Sequence, residues 1–183
     1  RVLFRSQRGA IPQAQLLYRQ VLDTDPRHFD SLHLLGLTLV QSGALDEGVH
    51  HISRALAVRS DFPEAHYNLG NALLSLGRAD QALASFDRAI SLNPADAQYQ
   101  LERGNALKEL GRMADALDSY RAAARLAPRF AEAFNNEGVV LKELGRAAEA
   151  LAAYDKAIAL RPDYAEAYNN CGNALRELGR FED

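Results

Sequence analysis

Residues 131–164 read AEAFNNEGVVLKELGRAAEALAAYDKAIALRPDY, and the spacing of small and apolar residues in this stretch decides the fold. Phe134, Gly138, Leu141 and Leu144 recur at helical spacing in its first half, and Ala150, Leu151, Tyr154, Ala157 and Ile158 recur in its second. Gly145-Arg146 separates the halves, and a glycine just past a helix takes positive φ without strain. Pro162 then stops helical continuation. The stretch therefore predicts helix, tight turn, helix, turn.

The same pattern returns along the whole chain every 34 residues, as Pro26, Ser60, Pro94, Pro128 and Pro162 mark. Gly36, Gly70, Gly104, Gly138 and Gly172 form one glycine series; Gly9, Gly43, Gly77, Gly111, Gly145 and Gly179 form a second, expected in turns. The twelfth glycine, Gly48, falls where other units carry Ala14, Ala82, Ala116 and Ala150. A fixed period of this length marks a repeat architecture, in which each unit buries its apolar face on its neighbours. The expected fold is all-α: an α-solenoid of antiparallel helix pairs occupying residues 1–183 as a single domain. Full repeats are expected at 29–62, 63–96, 97–130 and 131–164, with partial repeats at 1–28 and 165–183. In the first partial repeat a helix is expected over about 11–24, and in the last over about 165–178. The glycines of the first series lie inside first helices, where glycine costs about 0.5–1 kcal/mol relative to alanine. Close approach of the paired helix, with its small residue at Ala82, Ala116 or Ala150, is the expected compensation.

Composition excludes several functions. The chain of 183 residues is 48% hydrophobic and 25% charged, without an apolar run long enough to span a bilayer. A net charge of −3 and a pI near 6.0 weigh against nucleic acid as a partner. The single cysteine, Cys171, fits a reducing, cytoplasmic setting and occupies the packing slot of Leu35 and Leu69, which predicts a buried thiol. The chain begins at Arg1 and stops at Phe181-Glu182-Asp183, partway into a unit, and so reads as a fragment. No nucleotide-loop or metal motif occurs, and His28, His33, His50, His51 and His66 fall out of register with one another. No catalytic residue, cofactor or metal is expected, and the segment reads as a non-enzyme.

The unit at 131–164, with Tyr18, Phe86, Tyr120 and Tyr154 in its late aromatic slot, resembles the tetratricopeptide repeat. The first full unit departs most, with Ser60 for proline, Gly48 for alanine, Ile52 in the aromatic slot and Leu32 where Phe134 and Tyr168 stand later. The resemblance implies a right-handed superhelix whose first helices line a concave groove.

At about 100° per residue, the second, fifth, sixth, ninth, twelfth and thirteenth residues of each first helix share a face. Eight of the nine asparagines lie there: Asn68, Asn71, Asn105, Asn135, Asn136, Asn169, Asn170 and Asn173. Asparagine is a mediocre helix former, so its repetition mid-helix calls for a reason. A carboxamide matches the C=O and N–H of an extended peptide, so the ladder is a candidate peptide-binding surface. Bridging between neighbouring repeats is the other reading. Beside it runs a charged file, Lys108, Lys142 and Arg176, each followed by a glutamate; it is either a solvated rim or a set of contacts to a partner's carboxylates or phosphates. Toward the N-terminus the face turns apolar with Leu34, Leu37 and Val40.

The first function expected is a protein–protein interaction scaffold that binds an extended peptide or protein segment. The string AEAYNNCGNALRELGR and its kin resemble repeats that precede the catalytic region of O-linked N-acetylglucosamine transferases and their bacterial relatives. That resemblance implies the alternative, a substrate-recognition arm of a larger glycosyltransferase. It also implicates Asn68, Asn136 and Asn170 in one file and Asn71, Asn105 and Asn173 in another, broken by Glu102 and Val139. A carboxylate clamp is disfavoured, since its lysine positions hold His33, Tyr67, Leu101, Asn135 and Asn169. End-to-end self-association through Tyr168, Cys171 and Leu175 of the last helix is also expected.

Overall fold

The computed structural model describes residues 2–179, with side chains from Ile11 onward. The expectations attached to Phe181-Glu182-Asp183 lie outside the described residues. Ten helices and no strands occur among the described residues. They fall into two compact units, residues 1–94 and 95–183.

The first unit holds α1 (Val2–Thr24), α2 (Phe29–Gln41), α3 (Leu45–Val58), α4 (Pro63–Ser75) and α5 (Ala79–Leu92). The second holds α6 (Ala97–Glu109), α7 (Met113–Leu126), α8 (Ala131–Glu143), α9 (Ala147–Leu160) and α10 (Ala165–Glu177). Within each unit every helix packs on the next in sequence, the arrangement of an α-solenoid built from helix pairs.

The turn between paired helices follows from one glycine. At the end of α4, Gly77 takes φ 69°, its N–H reaches Leu74 O at 2.9 Å, and Arg78 N–H reaches Leu73 O at 2.9 Å. That is a Schellman closure, which satisfies carbonyls the helix leaves open. Gly43, Gly111, Gly145 and Gly179 repeat the positive φ. Gly9 does not belong with them. It lies inside α1, which runs unbroken from Val2 and carries Pro12 within it, where the sequence predicted a turn and a helix beginning near residue 11.

The glycines inside first helices answer to a different neighbour from the one expected. A Cβ on Gly70, Gly104 or Gly138 would lie 2.5 Å from the ring of Phe86, Tyr120 or Tyr154. Glycine is there to seat an aromatic ring; the alanine of the second helix is not what fills the space. Those three rings are fully buried and form the centre of their repeats. In the first full repeat, where Ile52 replaces the ring, Gly36 and Gly48 face each other. A Cβ on Gly48 would come within 2.9 Å of the Gly36 carbonyl oxygen. Gly48 is thus the compensation for a smaller core residue, and Val40 packs into the gap beside it.

Candidate functional site

Within each unit one face of the first helices carries the asparagines, and half of their side-chain bonds run from one first helix to the next. In the first unit Asn68 Nδ2 lies 3.1 Å from His33 Nε2. His33 is nearly buried, edge-on to Phe62 at 5.7 Å, and Arg59 stacks on Phe29 at 3.6 Å. Burial, then the Arg59 charge, push the imidazole below its ordinary range against the opposing pull of Asp30 and Glu64. His33 is therefore the neutral acceptor for the Asn68 amide. Asn71 lies half-buried one turn beyond.

In the second unit the network is denser. Asn105 Oδ1 accepts from the Tyr120 hydroxyl at 2.8 Å and from Asn136 Nδ2 at 3.2 Å. Asn105 Nδ2 donates to Glu102 Oε2 at 2.9 Å, and Gln98 Nε2 donates to the other oxygen at 3.0 Å. Glu102, read from sequence as a break in the asparagine file, instead continues the hydrogen-bond network. Desolvation around the buried Tyr120 ring raises its hydroxyl above the ordinary phenol range, so it stays a donor.

Asn135 departs from the expectation of an open groove. Its side chain is 0% exposed; it donates to Asn136 Oδ1 at 3.3 Å and Glu166 Oε1 at 3.1 Å, and accepts from Asn170 Nδ2 at 3.1 Å. Leu101, at the same place in its repeat, is equally buried, and His33 is nearly so. The fifth position is therefore buried in α2, α6 and α8, while Tyr67 of α4 is half-buried. In the second unit the open face is left to the sixth and ninth positions, because α8 and α10 bond across at Asn135. Asn169 and Asn173 are exposed, and Asn173 Oδ1 accepts from Arg176 at 3.1 Å.

The charged file is partly internal too. Lys142 Nζ pairs with Glu177 of the next first helix at 3.3 Å, while Lys108 is half-buried beside the Asn105 network. Cys171 is half-buried where the sequence predicted a buried thiol, because no second helix covers α10 among the described residues. Leu34 stands 39% exposed, while Leu37 and Val40 pack on the core around Ile52. Among the described residues no group of His, Cys, Asp and Glu side chains could hold a metal ion, and no helix is long and apolar enough to cross a membrane.

A repeat profile described as "Tetratricopeptide repeat" matches residues 33–99 and 67–131, together more than half the chain, and one described as "TPR repeat" matches 138–179. The chain belongs to the tetratricopeptide-repeat family. No curated protein matches this tetratricopeptide chain. Solved structures do. A crystal structure of MamA superposes with a TM-score of 0.83 at 24% identity, over 88% of this chain and 95% of that one. Another MamA, designated AMB-1, reaches 30% identity with a TM-score of 0.76, over 84% of this chain and 91% of its own. YrrB, described as a TPR protein with an unusual peptide-binding site, aligns at 27% identity with a TM-score of 0.80, over 90% of this chain and 84% of that one.

Sequence reasoning located the asparagines but not the partners that fix them. Tyr120 and Glu102 belong to the network, and a signal for both existed. Glu102 stands about one helical turn before Asn105, and Tyr120 in the aromatic slot packs on Gly104, the residue beside Asn105.

Proposed function

We propose that this chain is a protein-interaction scaffold whose first-helix face takes up an extended peptide or protein segment. The observation that carries the reading is the run of carboxamides on the first helices, of which Asn68, Asn105, Asn136 and Asn170 are each held by a neighbour through part of their hydrogen-bonding capacity. Asn136 spends one N–H on Asn105 and one oxygen lone pair on Asn135, which leaves one donor and one acceptor site for a bound backbone. In the second unit Asn170 and Asn173 add to that surface, with Asn105, Lys108, Lys142 and Arg176 beside them; in the first unit Asn68 and Asn71 form a surface of the same kind. Asn135 supports it from below, and Asn169 lies at its edge. Carboxamides held in fixed rotamers lose little freedom on binding, which favours affinity without dependence on the peptide's sequence. The description of YrrB as peptide-binding points the same way.

The same reading takes residues 1–183 as one run of repeats in a cytoplasmic setting, with end-to-end association through the α10 face that leaves Tyr168 50% exposed. The glycosyltransferase-arm alternative draws no support from MamA or YrrB. Replacing Asn136 and Asn170 with alanine tests the proposal. Weaker peptide binding with unchanged helicity is the expected result, and unchanged affinity for a verified peptide would sink it.

A further inference from the structure

One repeat of the second unit leaves a donor without a partner on this face. Between α6, α7 and α8, the Tyr120 hydroxyl ends on Asn105 Oδ1 at 2.8 Å, and Asn136 descends onto the same oxygen at 3.2 Å. The ring of Tyr154 is seated the same way, since a Cβ on Gly138 would meet its Cε1 at 2.5 Å, as one on Gly104 would meet that of Tyr120. The position corresponding to Asn105 is Val139, which offers no acceptor. Asn170, the counterpart of Asn136, turns its Nδ2 onto Asn135 Oδ1 at 3.1 Å instead. The Tyr154 side chain is 0% exposed, and its hydroxyl has no hydrogen-bond partner among the described residues. Buried polar atoms are ordinarily paired, so a lone one in a binding face marks a place for an incoming group.

We propose that the floor of the face at Val139, Tyr154 and Asn170 receives a backbone carbonyl of a bound extended peptide, with the Tyr154 hydroxyl as its donor. This rests on the peptide-binding reading above. The electrostatics select a neutral acceptor. Burial, with Cys171, Glu177, Glu143 and Glu166 around it, pushes the phenol up to about 12, so it remains protonated at neutral pH. Those same carboxylates repel an anionic ligand at this point, which favours a carbonyl over a carboxylate. By register Asn170 stands over the hydroxyl, as Asn136 stands over that of Tyr120. Exchanging its bond to Asn135 for one to the incoming carbonyl keeps its amide satisfied and opens the floor.

The probe is a library of random dodecapeptides displayed on phage, panned on the 183-residue protein. The most enriched peptide is then synthesised and titrated by fluorescence anisotropy. Tyr154→Phe removes the donor and keeps the ring; Val139→Asn supplies an internal acceptor for it. Each is expected to weaken the peptide about tenfold, the loss of one buried hydrogen bond. Tyr164→Phe, a tyrosine hydroxyl away from this face, is expected to leave binding within about twofold. Equal affinity for wild type, Tyr154→Phe and Val139→Asn overturns this inference. If Asn136→Ala and Asn170→Ala still weaken binding in that case, the peptide-binding reading stands. Failure to enrich any peptide overturns both.

Discussion

The Tyr120 hydroxyl donates to Asn105 Oδ1 at 2.8 Å, tying the second helix of a repeat to the first-helix face of the same repeat. Its homologue Tyr154, in a repeat with Val139 at the position of Asn105, has no hydrogen-bond partner among the described residues. The two tyrosines therefore respond oppositely to loss of the hydroxyl. Tyr120→Phe removes a donor from a satisfied network and is expected to cost about 1–2 kcal/mol. Tyr154→Phe removes a polar atom that is buried without compensation, and is expected to be neutral or stabilising. Urea midpoints of the two variants, at equal m-value, decide it. A larger loss for Tyr154→Phe would contradict the arrangement.

The first-helix glycines give a second contrast. Gly104→Ala puts a Cβ 2.5 Å from the Tyr120 ring, which must shift in a packed core, and a loss of about 2 kcal/mol or more is expected. Gly172 occupies the same register in α10 but meets nothing within 4 Å. Gly172→Ala is therefore expected to stabilise the chain by about 0.5–1 kcal/mol through helix propensity. Thermal melts of the two variants side by side test this.

Register explains what was legible and what was not. Pro26 to Pro162 and the two glycine series are local signals with a fixed period, so helix pairs and their turns follow from sequence spacing. Gly9 misled because it keeps the register of the turn glycines yet lies inside the unbroken helix α1. The first-helix face was legible as a stripe of asparagines, since helical geometry projects it from one repeat alone. The burial of Asn135 was not, because it depends on how the next first helix stacks, which one helix's angular pattern does not contain. Glu102 was misjudged for a related reason. A carboxylate differs in charge from a carboxamide, but it accepts from Asn105 and Gln98 in the same place.

His33 gives the first unit a pH-dependent stability. Burial, then Arg59, lower its pKa in the folded chain, opposed by Asp30 and Glu64. Below the unfolded value near 6.5 the unfolded state binds more protons at this site than the folded state does. The contribution is thus fully present above about 6.5 and is lost as pH falls from there through the lowered folded value. His51, lowered mainly by burial, acts in the same direction. His33→Gln keeps a group that can accept from Asn68 and cannot titrate. It is expected to reduce, not abolish, the drop in urea midpoint between pH 7.5 and 5.5. An identical drop in wild type and variant would contradict the assignment.

Asn135 is the residue on which the joint between α8 and α10 depends most. Its carboxamide is fully buried, with its Nδ2 donating to both Asn136 and Glu166 and its oxygen taken by Asn170. Asn135→Ala leaves the Asn170 amide and the Glu166 carboxylate without these partners and opens a small void. A loss of about 2–3 kcal/mol is expected, from unmet hydrogen bonds with a smaller cavity contribution. Asn169→Ala changes an exposed residue at the same place in the next repeat, so it is expected to stay within about 0.5 kcal/mol of wild type. The distinction is also spatial. Hydrogen exchange should quicken in α10 of Asn135→Ala before it does in α6 and α7, because the broken contacts join only α8 and α10. Uniform acceleration across the second unit would mean that Asn135 stabilises the repeat as a whole and not this joint.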